Sequence, residues 1–93
     1  MEYRPPTMRS LLVTGGAGFI GANFVRYWLD EHPGDALVVL DALTYAGNQA
    51  SLAGLEQRSN YAFVRGDIAD ETLVSDLLAR HRVDTLVNFA AET

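Results

Sequence analysis

The chain of 93 residues contains no cysteine and no lysine, only two histidines and a single tryptophan. Without cysteine there is neither a disulfide framework nor a thiolate metal site. His32 and His81 stand far apart and lack paired-ligand spacing, so no metal is expected. No apolar run approaches the ~20 residues needed to cross a bilayer. Met1–Thr7, which carries Arg4, Pro5 and Pro6, lacks the apolar stretch of a signal peptide. No membrane partner and a cytoplasmic location are therefore the expectation. Positive charge is scarce as well: seven arginines face twelve carboxylates and leave a net charge of −5. That balance argues against nucleic acid as a partner, because binding to its phosphates needs a basic surface.

What is present is ordinary for a globular protein: 48% hydrophobic and 20% charged residues, too apolar for a disordered chain. The length allows one compact unit, on the small side for a self-sufficient core. Residues 1–7 read as a short extension and residues 8–93 as the domain.

The most informative segment is Gly15-Gly16-Ala17-Gly18-Phe19-Ile20-Gly21, placed directly after the apolar run Leu11-Leu12-Val13. Gly16, Gly18 and Gly21 satisfy G-x-G-x-x-G, while Gly15, Gly18 and Gly21 satisfy G-x-x-G-x-x-G. A buried strand, a glycine turn and a helix in that order aim main-chain N–H groups and a helix N-terminus at a dinucleotide pyrophosphate. Glycine permits the unusual turn dihedrals and keeps Cβ atoms out of the phosphate's approach. With a net negative chain, attraction for that anion has to come from these local dipoles.

Periodicity predicts strands over Ser10–Thr14, Ala36–Leu40, Tyr61–Arg65 and Thr85–Phe89. Helix one is expected over Gly18–Glu31, with an apolar face of Ile20, Phe24 and Trp28 widened by Val25 and Leu29, and with Arg26 and Asp30 opposite. His32, Pro33 and Gly34 stop it. Gln49–Leu55 is a candidate short helix. Asp70 is the expected N-cap of a helix reaching about His81, with apolar Leu73, Val74, Leu77 and Leu78 and with Arg80 and Arg82 in its last turn. Trp28 reads as core packing and His81 as a helix-end or surface residue.

Strands alternating with helices predict an α/β fold, a Rossmann-type doubly wound parallel sheet, here incomplete with about four strands. The usual order 3-2-1-4-5-6 then lacks its last two strands, which suggests the N-terminal part of a longer chain.

Three strand ends carry candidate contacts. Asp41 lies twenty positions beyond Gly21, at the end of strand two, where a carboxylate accepts from the adenosine ribose hydroxyls. Each such charge-assisted bond contributes about 1.5–3 kcal/mol. A 2′-phosphate at ~5 Å would be repelled by roughly 3 kcal/mol per unit charge at an effective dielectric of ~20. Ala42 follows, with no arginine to offset that, so NAD is favoured over NADP; the other reading is a strand-end aspartate capping the next turn. Asp67, after Gly66, reads either as an acceptor for the adenine amino group, with Ile68 on the ring, or as an ordinary turn aspartate. Phe89, Ala90, Ala91, Glu92 and Thr93 close strand four at the point where strand order reverses, the expected ligand crevice. Small Ala90 and Ala91 leave room for a cofactor, and Glu92 and Thr93 are either polar contacts or frayed chain-end residues.

With these residues in place, the chain resembles an extended short-chain dehydrogenase/reductase, and closely the dTDP-glucose 4,6-dehydratases, from Leu11 to Thr93. The more specific stretches are Asp41-Ala42-Leu43-Thr44-Tyr45-Ala46-Gly47-Asn48, similar to the family's D-x-L-T-Y-A-G-N, and Ala90-Ala91-Glu92-Thr93, similar to its A-A-E-S/T. Phe89 departs from the commoner leucine. The glycine spacing makes Gly15, Gly18 and Gly21 candidate cofactor contacts, and the resemblance implies NAD contacts at Phe19 and Ile20 in the same pyrophosphate turn. It places Asp41, Ala42, Leu43 and Thr44 around ribose and adenine, Asp67 and Ile68 at adenine, and Phe89–Thr93 on the nicotinamide side. Thr93 would also reach the sugar nucleotide. It further implies a lyase, homodimeric as a complete protein, in which dTDP-glucose is oxidised at C4, loses water across C5 and C6 and is reduced at C6, with the hydride held in between on NAD. The superfamily's Tyr-x-x-x-Lys pair cannot lie in a chain without lysine, so these residues include no catalytic group and the piece alone is expected to be inactive. A UDP-sugar 4-epimerase, a UDP-glucuronate decarboxylase and a non-catalytic NAD-binding module are the alternatives; Leu43–Asn48 argues against the first two.

Overall fold

A computed structural model describes residues 9–15, 19–42 and 52–89. The described elements are β1 (Ser10–Thr14), α1 (Phe19–Glu31), β2 (Ala36–Asp41), a 3₁₀ turn at Leu55–Gln57, β3 (Tyr61–Arg65), α2 (Glu71–Arg80) and β4 (Thr85–Asn88). The four strands form one sheet in the order β3-β2-β1-β4. All neighbours are parallel, with Leu11 opposite both Leu37 and Thr85, and Leu37 opposite Tyr61. This is the expected α/β, Rossmann-type sheet.

Side-chain alternation along each strand sorts the core into two layers. Leu11, Val13, Leu37 and Val39 point to the α1 side and meet Ala22, Val25, Leu29, Leu52 and Leu55. Leu12, Val38 and Leu40 point the other way and meet Leu77. The centre of the sheet is therefore covered on both faces, which is why β1 and β2 read as unbroken apolar runs. Each such buried Leu or Val contributes about 1.5–3 kcal/mol from transfer out of water.

The structure corrects several expectations. The buried stripe of α1 is Ala22–Val25–Leu29, while Ile20 is 67% exposed and Phe24 and Trp28 are only half-buried. Spacing of three and four residues defines several stripes on a helix, and here small Ala22 lets α1 lie close to the sheet. Leu78 likewise turns outward from α2. β2 runs one residue further, to Asp41, and β4 ends at Asn88 rather than Phe89. Of the candidate helix at Gln49–Leu55, residues 49–51 lie outside the described residues; Leu52 is in 3₁₀ conformation, and a 3₁₀ turn covers Leu55–Gln57. Arg82 falls beyond α2, with φ 51°.

The ends of α2 show why it stops where it does. Asp70 Oδ1 accepts from the Leu73 N–H at 3.1 Å, the expected N-cap. At the other end Val83 N–H donates to Leu78 C=O at 3.0 Å and Arg82 N–H to Ala79 C=O at 3.3 Å. This is a Schellman closure with arginine in the left-handed position that glycine usually fills.

The amino-terminal edge of the sheet is tied by polar groups. Asp35, 1% exposed, accepts from the Arg9 N–H at 2.8 Å and from Trp28 Nε1 at 2.9 Å. Asn60 Nδ2 donates to the Asp35 carbonyl at 2.8 Å, and Ser10 Oγ to the His81 carbonyl at 2.7 Å. Trp28 stacks on His32 with ring centres 4.0 Å apart, so its role is packing combined with one buried hydrogen bond.

Candidate cofactor-binding site

The carboxyl ends of the four strands lie side by side, and the main chain leaves the sheet there in an ordered way. Gly15 N–H donates to Leu40 C=O at 3.0 Å, Gly66 N–H to Asp41 C=O at 3.1 Å, and Phe89 N–H to Thr14 C=O at 2.7 Å. Each ladder thus continues one residue past its strand before the chain turns away. Thr14, fully buried, adds a side-chain bond from its Oγ1 to Asn88 Oδ1 at 2.6 Å.

At β1, Gly15 adopts φ 75°, a left-handed conformation that L side chains rarely take, and this re-aims the chain toward α1. Its N–H is engaged by Leu40, so within this turn Gly15 contributes shape. Gly16, Ala17 and Gly18 lie outside the described residues. α1 resumes at Phe19, where the first N–H groups of a helix have no intrahelical acceptor and favour an anion. Ile20 projects into solvent beside them, whereas Gly21 is buried one step inside the helix.

At β2, Asp41 and Ala42 are half-buried at the sheet end; Leu43 and Thr44 fall outside the described residues. At β3, Asp67 Oδ1 accepts from the Ala69 N–H at 2.8 Å and the Asp67 carbonyl from the Asp70 N–H at 2.9 Å. The turn role of Asp67 is therefore observed, and the residue remains exposed, with Ile68 exposed beside it. A carboxylate can brace its own turn through one oxygen and still face a ligand. At β4, the Phe89 ring packs on Phe24 of α1 at 5.4 Å, and its main chain lines the strand end. Ala90, Ala91, Glu92 and Thr93 lie outside the described residues.

The described parts of the site thus combine a left-handed glycine turn into a helix N-terminus with two acidic corners on neighbouring strands. Such an arrangement accepts hydrogen bonds from a diol and an amine while meeting an anion with backbone dipoles. Among the described residues no group of three His, Cys, Asp or Glu side chains that could hold a metal ion is present. No described helix is long and apolar enough to cross a membrane. Sequence reading missed Asn88 and the Thr14–Asn88 bond, because only the β1–β4 register, set by residues more than seventy positions apart, brings them together.

Comparison with known proteins agrees with this geometry. The family model for GDP-mannose 4,6 dehydratase matches residues 12–93. Over 83 residues the chain is 59% identical to low-salt glycan biosynthesis protein Agl12 of Haloferax volcanii, covering 89% of this chain and 26% of that one. It is 58% identical to a dTDP-glucose 4,6-dehydratase of Mycobacterium tuberculosis, covering 89% and 24%. The dTDP-glucose 4,6-dehydratase of Bacillus anthracis, solved in complex with NAD, superposes with a TM-score of 0.87 at 43% identity, covering 90% of this chain and 27% of that one. The chain spans about a quarter of the length of these relatives. It belongs to the GDP-mannose 4,6 dehydratase family.

Proposed function

We propose that this chain is the NAD-binding part of a sugar-nucleotide 4,6-dehydratase whose substrate is dTDP-glucose. The observation that carries the reading is the order of elements around the sheet's carboxyl edge. β1 leads through left-handed Gly15 into α1, and Asp41 closes the adjacent β2. The two dTDP-glucose 4,6-dehydratases named above and the stretch Asp41–Asn48 support dTDP-glucose rather than a UDP-sugar.

The residues on hand fit an adenine dinucleotide. Asp41 would hold the ribose hydroxyls, Asp67 and Ile68 the adenine, and the amides at the start of α1 the pyrophosphate; Leu43, Thr44 and Phe89–Thr93 would complete the contacts. When bound, NAD supplies a reversible hydride acceptor. This chain's own residues hold its adenosine half in place; with no lysine, they do not include the family's acid–base pair. A homodimeric, cytoplasmic enzyme is the setting proposed for the complete protein.

The test is a titration of NAD into the complete protein carrying this chain, followed by incubation with dTDP-glucose. The expected product is a 4-keto-6-deoxy sugar without net NADH; steady accumulation of NADH overturns the dehydratase reading. Asp41→Ala is expected to weaken NAD binding by one to two orders of magnitude, about 1.5–3 kcal/mol.

A further inference from the structure

Along the chain Asp41 is followed by Ala42, with no arginine beside it; across the sheet there is one. β2 and β3 pair in parallel with Asp41 opposite Arg65, the last residue of each strand. The bond from the Gly66 N–H to the Asp41 carbonyl at 3.1 Å holds that register at the strand ends. Neighbouring strands lie about 4.8 Å apart. Side-chain alternation, which sends Leu37 and Val39 of β2 and Tyr61 and Phe63 of β3 to the α1 side, carries Asp41 and Arg65 to that same side.

Opposite charges so placed could pair, as Arg58 does with Asp30 and Arg80 with Asp76. Arg65 does not. It is exposed, and its guanidinium makes no hydrogen bond or ion pair with any described residue. It is also the one arginine that closes a described strand. The stretch that follows Asp41, residues 42–51, contains no carboxylate, and Asp67 spends one oxygen on its own turn. A full positive charge thus stands one strand away from the carboxylate proposed to hold the adenosine ribose.

A 2′-phosphate on that ribose would meet two charges of opposite sign. Asp41 repels it, while Arg65 attracts it and offers the planar fork of donors that suits phosphate. An uncharged 2′-hydroxyl gains little from the guanidinium. We infer that Arg65 is a specificity-determining residue: it offsets part of the repulsion from Asp41, so that 2′-phosphorylated dinucleotides bind this site more weakly than NAD but still bind. This inference rests on the dinucleotide reading of the site.

The experiment measures NAD and NADP affinity by competition titration, with a thermal melt of each protein alongside. The proteins are the complete protein, Arg65→Gln, Asp41→Asn and the double variant. The parent is expected to bind NADP about ten- to a hundredfold more weakly than NAD. Arg65→Gln removes a charge from an exposed position and is expected to melt with the parent; Arg65→Met replaces it if it does not fold. The substitution weakens NADP about tenfold and leaves NAD within about twofold, because only NADP carries the extra phosphate. Asp41→Asn shifts the preference toward NADP, and adding Arg65→Gln to it again removes about tenfold of the NADP affinity. Raising the salt from ~0.05 M to ~0.5 M shrinks the difference between parent and Arg65→Gln, since an exposed charge is screened. Absence of NADP binding in the parent, or an unchanged NADP affinity in Arg65→Gln, overturns the inference. So does an equal loss of NAD and NADP, which would put the guanidinium against the adenine or pyrophosphate that both share. Failure of the unsubstituted protein to bind NAD would instead sink the functional reading itself.

Discussion

The phenol of Tyr61 gives a test with a definite sign. Burial of the ring against the α1-side core, reinforced by the nearby Glu56 carboxylate and partly offset by Arg26, pushes its pKa up from 10.0 to about 12. Since the folded value lies above the unfolded one, the stability linked to the neutral phenol is fully present below pH 10. It is lost as the pH rises through about 12. Tyr61→Phe has no such proton to lose, so its urea midpoint is expected to fall less than that of the parent between pH 9 and pH 11.5. Equal losses would show that the ring is not held as described. Arg82 offers a second test. A non-glycine residue at φ 51° in a Schellman closure carries a steric cost that glycine avoids. Arg82→Gly is expected to raise stability by about 0.5–1 kcal/mol, read as a higher denaturation midpoint. A lower midpoint would mean that the arginine side chain compensates.

Among the elements, α1 separates what local pattern carries from what packing decides. Leu29→Ala should cost about 2–5 kcal/mol, whereas Ile20→Ala should stay within ~0.5 kcal/mol, because Ile20 is 67% exposed. Thermal melts of the two variants would distinguish them, and equal losses would reverse the stripe assigned here. Spacing of i, i+4, i+8 groups Ile20 with Phe24 and Trp28 in the sequence, but such a spacing is compatible with several helix faces. Which face meets the sheet depends on where small residues permit close approach. The strands were legible because β1 and β2, apolar on both faces, leave no alternative. So were the N-cap at Asp70 and the strand order, which follow from local chemistry and chain connectivity. The polar ties were not legible: Asp35 with Arg9, Asn60 with the Asp35 carbonyl and Thr14 with Asn88 all join residues distant in sequence. The turn of Asp67 was legible only as one of two readings, and the structure shows the Asx turn directly.

Across the whole molecule, the buried polar ties and the proposed ligand contacts lie at opposite ends of the strands. Asp35 ties the amino edge and Asp41 closes the carboxyl edge. Asp35→Ala strands two donors, the Arg9 N–H and Trp28 Nε1, and should cost about 1–3 kcal/mol of stability. In the complete protein that variant is expected to keep its NAD affinity below its melting temperature, while Asp41→Ala loses it. Paired melts and titrations check this, and a parallel loss in both variants would mean that the edges are coupled. The strand order also governs how the molecule forms. β1, made first, lies between β2 and β4, and Leu11 faces Thr85 across 74 positions of chain. A ribosome must therefore deliver nearly all of these residues before the earliest strand has both its neighbours. Such distant pairings slow a chain's search, so refolding is expected in milliseconds to seconds rather than microseconds. Until then, one side of the strand that ends up buried along its whole length waits without a partner.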